Sequence, residues 1–383
     1  MNSYLITGAS ICSATNMAEA DVAVEDNMIV AIGDVRKQYK HLPVFEFNAS
    51  DKLLPGFIDT HIHGSDGADV MDGDIEALNT IGCSLRKQGV SGFLATTMTQ
   101  SDESISKALH AVRQYVDADC GFDKSKKGAE ILGVHLEGPF ISPNKIGAQN
   151  PNYLQEISFE KLEKWQSISQ GALKKVTFAP EIAGAIELVK WCTKRRIISS
   201  IGHTNCTASQ AQTMLDLGAS QATHLFNAMS GIHHRNPGAA TALLASKKVL
   251  AELIVDRVHL ADETVKMVYE IKGQDNILLI TDAMSAQAKG EGIFDLGGQK
   301  VVVKGNEARL ENGTLAGSVL TMNKALENMH LISKCSFSEL VKMTSTNAAH
   351  SLGLTDRGDI QVGMRADLVV LGHDYQIKKC FFR

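Results

Sequence analysis

The sequence contains no Cys-X-X-Cys pair, and its seven cysteines (Cys12, Cys83, Cys120, Cys192, Cys206, Cys335, Cys380) are scattered and odd in number. They read as reduced thiols of a cytosolic protein, most of them packing residues. Also missing is any apolar run near the roughly 20 residues that a bilayer span needs. The N-terminus, MNSYLITGASIC, lacks a basic segment followed by a long apolar one, so no secretory signal is read there and the expected location is the cytoplasm. No sign of charge predominates: the formal net charge is −5, which gives no electrostatic reason to expect nucleic acid or a membrane surface as partner. Neither GxGxxG nor GxxxxGK[ST] occurs, which argues against a doubly wound sheet built around a phosphate turn.

What is present is a repeating alternation. The chain has 383 residues, 44% of them hydrophobic and 21% charged, enough for one barrel-sized domain and a smaller one. Strand-like segments occur at 56–63, 92–99, 131–138, 175–181, 196–204, 220–228, 250–259 and 276–283. Helical patterns lie between them. DIEALNTIGCSLRKQG starts at an N-cap, Asp74, carries Ile75, Leu78, Ile81 and Leu85 on one stripe, and stops at Gly89. Segments 185–195 and 207–218 are similar. Eight strands alternating with helices over about 230 residues predict an α/β fold, a (β/α)8 TIM-type barrel. Residues 1–53 and 355–383 read as short strands and turns, which predicts one small β-sandwich domain formed by both termini. The barrel then occupies 54–354, with an inserted β-hairpin near 292–317.

In such a barrel the chemistry sits at the C-terminal strand ends. The first strand ends in His61 and His63, which share a face because strand side chains alternate. The third ends in Glu137, the fifth in His203, the sixth in His224, the seventh in His259 and the eighth in Asp282. Each has an ordinary reading alone: a histidine after a strand is usually a hydrogen-bonded loop residue, and Glu137 or Asp282 could cap a turn or helix. One fold would bring all of them to one cleft, and that points to a metal centre. Imidazole with carboxylate suits Zn²⁺ or Fe²⁺ rather than Mg²⁺ or Ca²⁺. A cation with an open position brings a bound water's pKa down toward ~7, and Asp282 would take the proton and return it to a leaving group.

These residues carry a resemblance. PGFIDTHIHG, the strand-end histidines, the late Asp282 and the closing GDIQVGMRADLVVL look like the metal-dependent amidohydrolases. GVHLEGPFISPNKIGAQNP, IGHTNCT, ATHLFNAMSGIHHRNPG, DRVHL, LLITDAMSA and LAGSVLTM closely resemble the N-acetylglucosamine-6-phosphate deacetylase family, over nearly the whole chain. HLEGPF and THLFNAM are specific to that family, whereas HxH is shared by many amidohydrolases.

The resemblance implies hydrolysis of the acetamide of N-acetylglucosamine 6-phosphate to glucosamine 6-phosphate and acetate, in amino-sugar catabolism. Another N-acetyl amino-sugar phosphate, such as the galactosamine epimer, is the alternative substrate. It implies Glu137, His203 and His224 as ligands of the main metal and Asp282 as catalytic acid/base. Ala148, Gln149, Asn227, Ala228, Ala316, Gly317 and Ser318 would line the sugar site. Arg235 and His259 would bind the sugar, Arg235 gripping the 6-phosphate bidentately. The family forms homodimers, and residues near Arg235 are expected at the interface. A catalytically silent scaffold of this fold would be expected to have lost a ligand or Asp282, and none is missing.

Some members hold one metal and replace the first-strand pair. Here His61 and His63 are intact, which favours two divalent ions over one, with Glu137 as a bridge. Lys174 and Lys175 stand at the wrong end of the fourth strand for a carboxylated-lysine bridge. Gln149 occupies a position where many members carry His; it can donate to the substrate carbonyl but cannot be charged. His135, a residue pair deeper than Glu137, is expected to support or pack, and His233 and His234 flank Arg235 as loop residues.

Overall fold

The structure, a computed structural model, describes residues 2–117 and 128–382; Cys120 lies outside the described residues. Its centre is an eight-stranded parallel sheet in sequential order. The strands are β1 (Phe57–Ile62), β2 (Val90–Thr97), β3 (Glu130–Glu137), β4 (Leu173–Phe178), β5 (Ile198–Ile201), β6 (Gln221–Ala222), β7 (Leu250–Ile254) and β8 (Ile277–Ile280). They are almost wholly buried, as parallel strands covered by helices on one side and packed side chains on the other must be. The sheet closes just beyond the strand ends, where Ile62 bridges Ala283 and the amides of His63 and Gly64 donate to Ala283 O at 2.9 and 3.0 Å. Helices cover the outside as their sequences dictate. Asp74 accepts from the Ala77 amide to cap Ile75–Lys87, and Thr207 with Gln210 forms a capping box on Ala208–Leu217.

Several strands are shorter than the apolar runs that announce them. The segments expected over 196–204, 220–228 and 276–283 leave the ladder early, because His203, His224 and Asp282 have φ of +46°, +27° and +49°. A left-handed residue cannot continue a strand, so each of these ends in a sharp turn.

The termini behave as one layer. Leu368–Leu371 pairs antiparallel with Lys52–Pro55, which runs parallel to Ser10–Cys12. A second sheet, holding Tyr4–Thr7, Asp21–Glu25, Met28–Gly33 and Val44–Glu46, shares an apolar core with it through Ile6, Val22, Leu368 and Phe381. Asp26 and Asn27, at φ +50° and +62°, make the two-residue turn between two of its strands.

The insertion differs from expectation. It is a three-stranded meander, Gly292–Leu296, Gln299–Lys304 and Glu307–Leu310, rather than a hairpin. Two two-residue turns account for the extra strand: Gly297–Gly298, and Gly305 with the following asparagine. The meander buries Leu296, Val301 and Ala308 against Met98 and Met284 beside the barrel mouth.

Candidate metal centre

Six side chains from five strand ends meet at that mouth. Glu137 Oε1 lies 3.3 Å from His61 Nε2 and 3.2 Å from both His203 Nε2 and His224 Nε2. Its Oε2 lies 3.2 Å from His63 Nε2. Asp282 Oδ1 faces His61 Nε2 at 3.3 Å and His63 Nε2 at 3.2 Å. The donor atoms fall into two groups, His61–His63–Asp282 and Glu137–His203–His224, with Glu137 touching both.

The turns explain the convergence. Left-handed backbone at His203, His224 and Asp282 swings each side chain inward from a strand that has just ended. Such a conformation costs a non-glycine residue roughly 1–2 kcal/mol, and strain of this kind collects where function fixes the geometry.

The donor set fits divalent cations. His203 Nδ1 donates to Lys145 O at 3.0 Å, His63 Nδ1 to Thr96 O at 3.2 Å and His61 Nδ1 to the Glu252 carboxylate at 3.1 Å. Those acceptors carry no proton, so each ring keeps a hydrogen on Nδ1, and Nε2 is the nitrogen that would offer its lone pair to a bound ion. His203 Nε2 and His224 Nε2 stand 3.2 Å apart, two lone pairs aimed at one point. His61 Nε2 is fully buried and faces only the carboxylate oxygens of Glu137 and Asp282, at 3.3 Å each, with a hydrogen bond to neither. A buried nitrogen lone pair that meets only acceptors is what a bound ion satisfies.

The electrostatics agree. Burial pulls His63 down, but hydrogen bonds to Asp282 and Glu137 lift it to about 9. Burial likewise disfavours charge on His61, yet Glu137, Asp282 and Glu252 outweigh it and raise the ring well above the ordinary histidine range. Asp282, despite burial, is held at about 2 by His61 and His63. The cluster thus concentrates negative charge and takes up positive charge, as protons or as a cation.

Above the cluster is a cavity of about 300 Å³, lined by His63, Glu137, His203, His224 and Asp282 together with Ala148, Gln149, Asn227, Ala228, His259 and Gly317. Met98, Gly147, Leu296, Thr314 and Leu315 also line it and were not legible as site residues. Three of them belong to the insertion or its return, so a long-range fold contact, not a motif, brings them there. His259 Nδ1 donates to Asp256 Oδ2 at 2.7 Å, which leaves its Nε2 as an acceptor.

Other expected residues stand elsewhere. Ala316 is buried in the core of the meander, and the Ser318 hydroxyl donates to Thr281 O at 2.6 Å; neither lines the cavity. Their backbone closes the loop, since Ser318 N donates to Asp282 O at 2.8 Å. Gln149 lines the cavity but has both amide ends engaged, Oε1 accepting from Thr99 N at 2.7 Å and Nε2 donating to Glu137 Oε2 at 2.8 Å. Arg235 sits on an exposed loop, 231–237, outside the cavity lining, with its guanidinium on His234 Nε2 at 2.8 Å. His233 Nδ1 accepts from the Asn236 amide at 3.0 Å, a loop role. His135 packs edge-on to His61 and bonds Thr177 Oγ1 at 2.7 Å.

Lys175 stands in the N-terminal half of β4, away from the strand end, and is fully buried inside the barrel with its ammonium paired with Glu252 on β7. Burial alone would raise Glu252; Lys175 and His61 bring it down to about 2. The pairing was not legible in the sequence, because β4 and β7 face each other only when the sheet closes. The alternation that places Lys175 on the face of Thr177 was the available signal.

Residues 53–382 match the Amidohydrolase family. The N-acetylglucosamine-6-phosphate deacetylase of Lysinibacillus sphaericus is 42% identical over 374 residues, 96% of this chain and 94% of that one. The N-acetylgalactosamine-6-phosphate deacetylase of Escherichia coli is 32% identical, covering 87% of each chain. Among solved structures, the N-acetylglucosamine-6-phosphate deacetylase of Thermotoga maritima superposes with a TM-score of 0.88 at 36% identity, over 99% of this chain and 98% of that one. The chain belongs to the amidohydrolase family, in the branch of its N-acetylglucosamine-6-phosphate deacetylase relatives.

Proposed function

We propose that the protein hydrolyses the acetamide of N-acetylglucosamine 6-phosphate, releasing acetate and glucosamine 6-phosphate, at a centre of two divalent ions, Zn²⁺ or Fe²⁺. The observation that carries this reading is the pair of ligand groups joined by Glu137 on the floor of a sugar-sized cavity. Glu137, His203 and His224 would hold one ion, His61 and His63 the other, with Asp282 beside it. Bound there, such ions supply Lewis acidity to a water and to the acetamide carbonyl.

The chain's own residues do the rest. Asp282, ionised and opening on the cavity, takes the proton of the attacking water and hands it to the departing amine. Gln149 braces Glu137 through its amide, so its task is to fix the ligand rather than to polarise the substrate. Ala148, Asn227, Ala228 and the Gly317 loop enclose the sugar, and His259 Nε2 accepts a hydrogen bond from one of its hydroxyls. Ala316 and Ser318 set the shape of that loop.

Arg235 is assigned to the 6-phosphate from across a homodimer interface. Its loop is exposed throughout and carries Ile232 at 54% exposure, a surface suited to cover by a second copy. No helix among the described residues is long and apolar enough to cross a membrane, and we assign the enzyme to the cytoplasm.

Turnover of N-acetylglucosamine 6-phosphate, its galactosamine epimer and unphosphorylated N-acetylglucosamine tests the reading. The expected order places the glucosamine phosphate first and the unphosphorylated sugar last. Absence of acetate release from all three overturns it.

A further inference from the structure

We propose that Glu252, held by Lys175, is a positioning residue for the ion at His61, His63 and Asp282, acting through the His61 ring. The proposal rests on the two-ion reading above. It starts from one fully buried carboxylate whose acceptor capacity is entirely used. Glu252 Oε1 accepts from Lys175 Nζ and, at 3.3 Å, from Thr60 Oγ1. Oε2 accepts from His61 Nδ1 at 3.1 Å and from the His224 backbone amide at 3.3 Å. Four groups from β1, β4 and the turn after β6 are thus held by one side chain on β7.

Two of those contacts reach the ligands. The bond to His61 Nδ1 fixes the tautomer that leaves Nε2 free and sets the ring's rotation. The bond to His224 N anchors the start of the left-handed turn that aims the other imidazole. Lys175 supplies the countercharge without which a carboxylate could not be held in an apolar barrel interior. A buried ion pair is a weak stabiliser compared with apolar residues of the same volume. A purely structural pair would therefore be dispensable to the metal centre, and that gives the test its discrimination.

The test compares the intact protein, His61→Ala, Glu252→Gln and the paired Lys175→Met/Glu252→Met change, which removes both charges and leaves neither orphaned. Co²⁺ is titrated into the chelated protein by calorimetry, and ions per chain are counted after dialysis against a weak chelator. The expected result is two binding steps in the intact protein and selective weakening of one of them, by about 10–100-fold, in the paired variant. The step affected should be the one His61→Ala removes, and Glu252→Gln should weaken it less. Should the paired variant not fold, the same selective loss in Glu252→Gln carries the test.

Two unchanged steps in the folded variants mean that the pair is structural only and overturn the proposal. Equal weakening of both steps also overturns it, because it marks general loosening. An intact protein that binds a single ion, with His61→Ala unchanged, sinks the two-ion reading and this proposal with it. Two ions in the intact protein, with His61→Ala losing one step and both steps unweakened in the Lys175 and Glu252 variants, sink only this proposal.

Discussion

At the residue scale the acid/base assignment is the sharpest commitment. Asp282 is close to His61 and His63 as well as to the cavity, so it can serve as a ligand in addition to a proton carrier. Asp282→Asn is expected to cut kcat by about 10³-fold while the ion on Glu137, His203 and His224 stays bound. Full activity in that variant would remove Asp282 from the mechanism. Arg235→Ala should raise KM for the phosphorylated sugar at least tenfold and leave the slow turnover of the unphosphorylated sugar unchanged. An equal loss on both substrates would place the 6-phosphate elsewhere.

A second residue-scale prediction concerns pH. Burial, with Asp72 and Asp295 nearby, pushes the Asp69 carboxyl up to about 6, although Met71 N donates to its Oδ1 at 2.8 Å. A carboxyl near 3.9 in the unfolded chain then binds more protons when folded between about pH 4 and pH 6, so stability falls as pH rises through that window. Asp69→Asn keeps the cap and removes the buried charge. It should stabilise the protein by about 1 kcal/mol at pH 8, with the advantage shrinking from pH 6 towards pH 4 in urea unfolding.

At the scale of elements, the strand ends were legible as positions and not as shapes. His61, His63, Glu137, His203, His224 and Asp282 follow apolar runs, and barrel geometry alone sends such residues to one mouth. What the runs could not convey is that three of them end in left-handed residues, since local pattern does not distinguish a strand that continues from one that turns. The charges inside the barrel were hidden for a related reason. Lys175 and Glu252 lie on strands separated by two others, and only closure of the sheet makes them neighbours. The loop over the site gives a prediction at this scale. Gly317 has φ +59°, and a Cβ there would stand 3.0 Å from Asp282 O. Gly317→Ala should cost about 1 kcal/mol of stability from backbone conformation. By displacing Asp282 it should also lower kcat by more than that loss of stability explains, and unchanged kcat would show that the loop does not set the acid/base position.

At the scale of the whole molecule, the question is how much of the fold depends on the ions. The barrel core runs continuously from Phe57 and Phe93 through Trp165 and Phe178 to Leu279 and Leu326, and none of it needs a cation. The candidate ligands lie instead at one end, in a cluster whose rings are fixed by their own hydrogen bonds to Lys145, Thr96 and Glu252. Chelation should therefore leave the far-ultraviolet spectrum unchanged while abolishing turnover. An ion present at about 1,000 times its Kd stabilises the folded state by about 4 kcal/mol, so Tm should fall by several degrees on chelation and return when Zn²⁺ or Fe²⁺ is restored. His61→Ala should recover only part of that increment, because one ligand group remains. A chelated protein that loses its secondary structure would instead make the ions part of the folding core, which the distribution of buried apolar side chains argues against.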